Sequence, residues 1–255
     1  MSGEVAAAVA RSVRQQQGDL RIRLVTWNCC RGPYEAKAGR LGHLGPDVAV
    51  LQECARPVQS GPTVAWFGAN PRQGVAIAAR APYHIRAEPV RDQSQSMFAV
   101  RVLGPVDFTV VAVWAQQEPS YSEALRLGIT VYCDLLANSP CILVGDFNSS
   151  VAWDTRHGRA DHRELESRLR QEFGLVSAYH AATGEMPGDE SYPTHFWRWQ
   201  EQAPFHLDYC YIPEAWLPGL KRVTVGNYEE WADSSDHRPV IVDVSLPGDI
   251  ACATV

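Results

Sequence analysis

The sequence predicts an α/β fold, because short apolar runs of strand length alternate along the chain with stretches of helical periodicity. The runs are rich in Val, Ile and Leu and carry few charges, which is typical of strands covered on both faces. The pattern indicates a mixed sheet but does not give its strand order. The predicted strands are residues 23–27, 48–52, 75–79, 98–103, 108–114, 141–144, 207–212 and 240–244.

Two stretches are predicted to be helices. Residues 120–137 begin with a candidate N-cap at Ser120 or Ser122 and then place apolar side chains at helical spacing. Residues 161–173 form a second, more polar candidate. Loops of functional length, with Pro, Gly and aromatic residues, are predicted at 57–61, 91–96, 182–199 and 228–235.

The composition predicts one main domain at 21–247, a helical or frayed extension at 1–20 and a short tail at 248–255. The chain has 255 residues, 45% of them hydrophobic, enough for a substantial core. No segment reaches the ~18 apolar residues of a membrane span, and no signal-peptide core follows Glu4. We therefore expect a cytoplasmic monomer that does not associate with membranes. The formal net charge of -6 means that a metal must supply much of any attraction for nucleic acid.

The seven cysteines form no zinc-type spacing, and their odd number argues against a disulfide framework. Cys29, Cys54 and Cys210 each follow or precede a motif residue, which raises a redox hypothesis. The favoured interpretation is that they are small apolar packing residues at strand ends.

Five short segments each end an apolar run with a side chain that binds metal or phosphate. They read LVTWN at 24–28, VAVLQE at 48–53, ILVGDFN at 142–148, HLDY at 206–209 and SDH at 235–237. One such segment means little, but five in one chain predict an oxygen-rich metal site. The residues concerned are Asn28, Glu53, Asp146, Asn148, Asp208, Asp236 and His237.

Glu53 ends a strongly apolar run, where a carboxylate is costly unless it is paired or bound to a metal. With Asp236 and the amide oxygen of Asn28 it would form a hard-oxygen site suited to Mg²⁺ or Mn²⁺. The alternative is an ordinary ion pair between Glu53 and Arg56. In GDFN, Asp146 and Asn148 are two residues apart, so both side chains project to the same side of an extended chain.

In their order and approximate intervals, these motifs resemble the endonuclease/exonuclease/phosphatase family, which includes exonuclease III, AP endonucleases, deoxyribonuclease I, sphingomyelinases, deadenylases and inositol polyphosphate 5-phosphatases. GVAIAAR at 74–80 resembles a further family strand, and the match spans about 22–244. The resemblance implies a four-layer α/β sandwich, with two packed mixed β-sheets flanked by helices as in deoxyribonuclease I. The active site would lie at one end.

The resemblance also implies a role for each motif residue. Glu53 resembles the main ligand of Mg²⁺ or Mn²⁺, and Asn28 and Asp236 resemble residues that help to hold the metal or its waters. Asp208 resembles the aspartate that orients the catalytic histidine, here His237.

Asp146 and Asn148 resemble the pair that positions the attacking water and the scissile phosphate. The implied reaction is in-line attack of water on a phosphate ester. The sequence leaves open whether Asp146 or His237 takes the proton.

Some positions depart from the family pattern. Trp114 stands where relatives carry a histidine or tyrosine near the leaving group, and it cannot act as an acid. Gln117 lies near the position of a phosphate-contacting asparagine. Cys30 replaces a second aspartate of the AP endonucleases, which argues against a second metal there.

The segment YPTHFWRW at 192–199 resembles the family's threonine/aromatic segment. Four aromatic residues are predicted to stack on a base or line a sugar pocket, although closing the core is an equal alternative: Phe196, Trp197, Trp199 and Phe205. Arg198 and Arg238 are candidate phosphate contacts.

The leading hypothesis is a divalent-metal-dependent phosphodiesterase that acts on nucleic acid, with DNA slightly favoured over RNA. The second is an enzyme for a small phosphorylated molecule such as a sugar, inositol or lipid headgroup phosphate. The third is a non-catalytic binding member of the family. A basic groove would favour the first hypothesis, and a neutral or acidic groove would weaken it.

Overall fold

Two six-stranded mixed sheets pack face to face with helices on their outer faces, as the resemblance predicted. A computed structural model describes residues 20–93, 95–138, 140–157 and 161–246. The predicted tail and all but the last residue of the predicted extension lie outside these ranges. Together the layers form a four-layer α/β sandwich.

Sheet I has parallel neighbours β1 and β2 at its centre, and its other neighbouring strands are antiparallel. The parallel pair places the carboxyl ends of two strands at the same edge. In spatial order the strands are β13 (Leu220–Val225), β14 (Val240–Leu246), β1 (Leu20–Asn28), β2 (Val48–Cys54), β4 (Gln73–Ala79) and β3 (Val64–Asn70).

Sheet II repeats this arrangement around the parallel neighbours β7 and β8. Its other neighbours are antiparallel. In spatial order the strands are β5 (His84–Ala87), β6 (Met97–Leu103), β7 (Phe108–Trp114), β8 (Cys141–Asp146), β12 (Asp208–Pro213) and β9 (Leu175–Ser177). A separate ribbon pairs β10 (His195–Phe196) with β11 (Pro204–Phe205).

The helices cover the outer faces of the sheets. Two 3₁₀ turns, Trp197–Trp199 and Glu214–Gly219, complete the described elements. Within the described residues, no helix is long and apolar enough to cross a membrane. The helices are α1 (Tyr34–Gly42), α2 (Tyr121–Val131), α3 (Cys133–Asn138), α4 (Val151–His157), α5 (Asp161–Phe173), α6 (Ala178–Thr183) and α7 (Tyr228–Trp231).

The main core lies between the sheets and consists of the inward-facing apolar residues of both. A second cluster fills the space between sheet II and α2, α3 and α5, and a third lies between sheet I and α1. Cys29, Cys54 and Cys210 are all buried and unpaired. Burial raises the pKa of the Cys54 and Cys210 thiols to about 12, which fits the packing interpretation over the redox one.

The predicted helix at 120–137 is divided at Tyr132 into α2 and α3. Ser120 is its N-cap, and its hydroxyl accepts a hydrogen bond from the Glu123 backbone N–H at 3.3 Å. The strands β3 and β13 were not predicted, because they are edge strands with half-exposed side chains and lack a fully apolar run.

Gly145 allows β7 and β8 to pair closely beside the motif GDFN. Its φ is 146°, and a Cβ there would lie 2.0 Å from the Val113 carbonyl oxygen. Any larger side chain would therefore displace the end of β8, where Asp146 begins the site.

Candidate active site

The motif residues meet because the ends of the central strands of both sheets lie at the same end of the sandwich. Asn28 ends β1, Asp146 ends β8, and Asp208 begins β12 directly opposite Asp146 in antiparallel register. Here a cleft of about 600 Å³ opens to the surface. Its lining includes Asn28, Cys30, Arg31, Glu53, Trp114, Gln116, Gln117, Tyr121, Asp146, Asn148, His195, Trp199, Asp236 and His237.

A β-bulge directs the Glu53 carboxylate into this cleft. The register of β2 shifts between Leu51 and Cys54, and Glu53 itself has a φ of 63°. Its Oε1 accepts a hydrogen bond from Asn28 Nδ2 at 3.1 Å, and its Oε2 accepts one from Gln73 Nε2 at 3.1 Å. The carboxylate is thus held by two neutral amides, which leave its charge uncompensated within the protein.

The alternative partner, Arg56, lies elsewhere. Its guanidinium group is 4.6 Å from the ring centroid of Trp66. The ion pair considered from the sequence is therefore absent among the described residues.

Asn28 links the two sheets of the site. Its Nδ2 also donates to Asp146 Oδ2 at 2.9 Å, while its Oδ1 accepts from the Cys30 backbone N–H at 3.0 Å. This differs from the prediction that the amide oxygen faces the metal. The carboxylates of Glu53 and Asp146 attract the amide N–H₂ group instead, so Asn28 fits a bridging and orienting residue better than a metal ligand.

Asp146 is fully buried and held from several sides. Its Oδ1 accepts from the Asn148 backbone N–H at 2.9 Å, and its Oδ2 accepts from Asn148 Nδ2 at 3.0 Å. Burial raises the pKa of Asp146 to about 7, although the nearby charge of His237 opposes this. The carboxylate is consequently suited to exchange a proton near neutral pH.

His237 pairs with Asp208, as predicted. Its Nδ1 lies 2.8 Å from Asp208 Oδ2, and Asp208 is fully buried. The loop is fixed by Ser235, whose hydroxyl accepts from the His237 backbone N–H and donates to the Asn28 carbonyl oxygen. Burial lowers the pKa of His237, but the charges of Asp208 and Asp146 and the hydrogen bond to Asp208 outweigh burial and raise it to about 10.

The donor set fits a divalent cation on the Glu53 side of the cleft. Glu53 and Asp236 each present a half-buried carboxylate to the cleft, and hard cations such as Mg²⁺ prefer oxygen ligands. Asp146, Asp208 and His237 also place ligand atoms within 4.8 Å of one another. We favour the Glu53 side, because Asp208 Oδ2 is already paired with His237 Nδ1 and a protonated imidazole cannot ligate a metal.

The aromatic segment is only partly placed as predicted. Trp114 and Gln117 line the cleft. Trp197 and Arg198 do not line it: the Trp197 ring is 55% exposed, and the Arg198 guanidinium lies 5.7 Å from that ring. Trp199, from the same predicted set, does line the cleft, and it ends a 3₁₀ turn whose second and third residues have left-handed backbone. Phe196 is buried, as the core alternative expected.

Arg238 is not a phosphate contact. It is fully buried, and its guanidinium lies 4.7 Å from the ring centroids of both Phe196 and Tyr228. Its Nη1 donates to the carbonyl oxygens of Ser235 and His237. Arg238 therefore fixes the loop that carries His237 against the aromatic segment.

His195 is a site residue that sequence reasoning missed. It forms an antiparallel bridge with His237, so the two imidazoles lie side by side with ring centroids 4.5 Å apart. Its Nε2 is 3.8 Å from Asp236 Oδ2. The segment YPTHFW was singled out for its aromatic residues, and the histidine within it was the available signal.

Arg31 was also missed. It is exposed and is the only arginine among the described residues that line the cleft. Its φ of 68° continues a left-handed stretch from Cys30 to Gly32 that turns the chain along the cleft wall. Arg31 directly follows the motif segment WNCC, and this position was its signal in the sequence.

Comparisons with known proteins agree with this geometry. The family model for the Endonuclease/Exonuclease/phosphatase family matches residues 25–237. No curated protein is detectably similar to the chain.

Solved structures share the fold at low sequence identity. The 3′ phosphatase NExo from Neisseria, bound to a product DNA hairpin, superposes with a TM-score of 0.65 at 19% identity and covers 88% of this chain and 99% of its own. The endonuclease domain of TRAS1, a telomere-specific non-LTR retrotransposon, gives 0.64 at 18% identity, with 89% and 100% covered. TDP2 from C. elegans gives 0.62 at 16% identity, with 96% and 82% covered.

Proposed function

Since the chain belongs to the endonuclease/exonuclease/phosphatase family and is thereby a metal-dependent phosphoesterase, we propose that it hydrolyses phosphodiester bonds of nucleic acid, with DNA favoured over RNA. The observation that carries this proposal is a connected polar chain across the cleft. Hydrogen bonds join Glu53 to Asn28, Asn28 to Asp146 and Asp146 to Asn148, and His237 faces this chain with Asp208 behind it.

Asp146, His237 and Asn148 have different roles in the in-line attack of water on the phosphate ester. Asp146 is placed to accept a proton from the attacking water, because its pKa is raised to about 7 by burial. His237 is held protonated by Asp208 and stabilises the negative charge that develops on the phosphoryl oxygens. Asn148 Nδ2 donates to both Asp146 and the Ala115 carbonyl oxygen, so its two N–H groups hold the Asp146 carboxylate in place for the attacking water.

Mg²⁺ or Mn²⁺, held by Glu53 and Asp236 when bound, would supply charge neutralisation at the phosphoryl and leaving oxygens. Trp114 at the cleft wall has one N–H donor and no titratable group, so it can donate a hydrogen bond but cannot protonate the leaving group. Gln117, which is exposed at the rim, is placed to donate to a phosphate oxygen.

Two observations support nucleic acid as the substrate. Trp199 lines the cleft and is 46% exposed, so its ring is available to stack on a base at the rim. Two of the similar structures are described as enzymes of nucleic acid. One is the DNA-bound 3′ phosphatase NExo, and the other is the TRAS1 endonuclease domain.

The charge of the cleft favours a second candidate, a small phosphorylated substrate. Three carboxylates line the cleft, those of Glu53, Asp146 and Asp236, against the cations Arg31 and His237. A cleft with this balance attracts polyanions less than a basic groove would. A bound divalent cation would offset two of the three charges, which is why the nucleic-acid proposal stands first.

A cytoplasmic location and a monomeric state remain predictions from the sequence.

The deciding experiment is hydrolysis of a substrate panel in Mg²⁺ and in Mn²⁺. The panel holds abasic duplex, plain single- and double-stranded DNA, 3′-phosphorylated DNA, RNA, bis-p-nitrophenyl phosphate, and sugar and inositol phosphates. Glu53→Ala is the inactive control, and Arg72→Ala, an exposed neighbour of Gln73, is the matched control. Metal-dependent cleavage of a nucleic acid that only Glu53→Ala abolishes supports the proposal. Turnover confined to small phosphates favours the second candidate, and no turnover at all favours a binding role.

A further inference from the structure

A second polar groove lies at the opposite end of sheet I from the catalytic cleft. It has a volume of about 620 Å³, within the range of about 300–1,000 Å³ that small-molecule sites occupy. Strand β1 separates the two, because it begins beside the groove at Arg21 and ends in the cleft at Asn28. The distance along β1 from Arg21 to Asn28 is therefore roughly 20–25 Å, at about 3.3 Å per residue. A single small ligand cannot occupy both.

The groove is basic in an acidic protein. Five cationic side chains line it against two carboxylates, whereas the whole chain carries a formal net charge of -6. Positive charge is therefore concentrated here, at a distance from the catalytic residues. The charged lining residues are Arg21, Arg23, Arg80, Lys221, Arg222, Asp47 and Asp243.

Strand pairing produces this concentration. Ile22 and Val244 point into the main core, so their neighbours in β1 and β14 point to the outer face. There Arg21 is paired in register with Ser245. The cations thus belong to rigid neighbouring strands, which fixes their spacing.

The two carboxylates orient part of the cationic set without neutralising all of it. Asp243 accepts from Arg23 at 2.6 Å and from Arg222 at 3.3 Å. Within residues 20–246, as far as they are described, Arg21 and Lys221 have no ion pair. Two positive charges thus lie at the groove without an ion-pair partner in the part of the chain that the structure describes.

We propose that this basic groove, defined by Arg21, Lys221 and Arg222, is a second phosphate-binding site that takes a phosphate group of a nucleotide or of an oligonucleotide. The arginine fork suits phosphate oxygens, and the Lys221 ammonium group adds a further positive charge beside it. Occupancy of the groove does not depend on the catalytic reaction, so the proposal stands or fails separately from the proposed function.

The test measures binding to the full-length protein by calorimetry at low salt, with EDTA present to keep divalent metal from the catalytic cleft. The probes are inorganic pyrophosphate, a nucleoside diphosphate and a short oligothymidylate. We expect one pyrophosphate per chain. Affinity should fall about tenfold or more in Arg21→Ala/Lys221→Ala, because each lost charged contact is worth about that factor.

Two controls separate this site from general attraction and from the catalytic cleft. Arg86→Ala/Arg163→Ala removes two exposed arginines elsewhere, and Glu53→Ala alters the cleft. Both should bind pyrophosphate as the unmodified protein does. Absent binding, an equal loss in Arg86→Ala/Arg163→Ala, or a loss confined to Glu53→Ala would overturn the proposal. The tighter of the nucleotide and the oligothymidylate identifies the source of the phosphate.

Discussion

Nδ1 of His237 lies 2.8 Å from the buried Oδ2 of Asp208, and the two residues come from opposite sheets of the sandwich. Asp208 begins β12 in sheet II, whereas His237 precedes β14 in sheet I. The pair therefore depends on how the sheets pack. Its chemistry follows from the burial, since a carboxylate inside the protein strongly favours the protonated imidazole.

Asp208→Asn tests this pair. The amide keeps the shape of the side chain but removes the charge that holds the imidazole protonated. We expect kcat to fall by ~10²–10⁴-fold, the usual contribution of a positioned acid or base. Steady-state kinetics with the best substrate of the panel, together with a thermal unfolding curve to confirm folding, measure the effect. Unchanged kcat in a folded variant would remove His237 from the proposed mechanism.

Gln73→Ala tests the metal site without changing a proposed ligand. Gln73 holds Glu53 Oε2 at 3.1 Å, and residues that orient a metal ligand typically contribute 10–100-fold in metal affinity. The Mg²⁺ concentration for half-maximal rate should therefore rise by about tenfold or more, while kcat at saturating Mg²⁺ changes little. Arg72→Ala is the matched control. An unaltered Mg²⁺ dependence would show that Glu53 does not bind the metal.

Trp199→Ala tests base stacking at the rim of the cleft. Loss of a base contact of about 1–3 kcal/mol corresponds to a KM for oligonucleotide that is roughly 5- to 150-fold higher. Hydrolysis of bis-p-nitrophenyl phosphate should change less, because its nitrophenyl rings are smaller stacking partners than a run of successive bases. Trp197→Ala should have the smaller effect, since its ring lies outside the cleft. Equal losses on both kinds of substrate would indicate that Trp199 supports the cleft itself.

The buried His162 should make the protein sensitive to acid. Its Nδ1 lies 3.1 Å from the Ser149 hydroxyl oxygen, and burial lowers the pKa of its imidazole from 6.5 to about 3. Between these values the unfolded chain binds more protons than the folded one. The contribution of His162 to the free energy of unfolding should thus be fully retained above pH 6.5 and decrease as the pH falls towards 3, by ~1.4 kcal/mol per pH unit at most. Burial also lowers the pKa of His195 and His206, which should add to the decrease.

Denaturant unfolding at several pH values measures this dependence. His162→Asn, which cannot titrate, should flatten the decrease, and His84→Asn at an exposed position should leave it unchanged. The same slope in all three proteins would mean that other groups cause the acid sensitivity.

The sequence determined much of the fold and most of the identity of the site. Fully apolar runs predicted the central strands, because strands that are buried on both faces contain few polar residues that would interrupt the apolar run. The ordered motifs predicted Glu53, Asp146 and His237 as neighbours, and all three line the cleft. The half-exposed edge strands β3 and β13 escaped prediction, since their burial depends on which strands they join.

Tertiary structure alone decided how the side chains are oriented. The bulge that turns Glu53 into the cleft arises from pairing with β4, and the amide of Asn28 is oriented by carboxylates from both sheets. His195 faces His237 only because the segments that carry them form a bridge. A sequence pattern reports which residues are buried at strand ends. The direction of each hydrogen bond is set by partners distant in the chain, which only the packed sheets bring together.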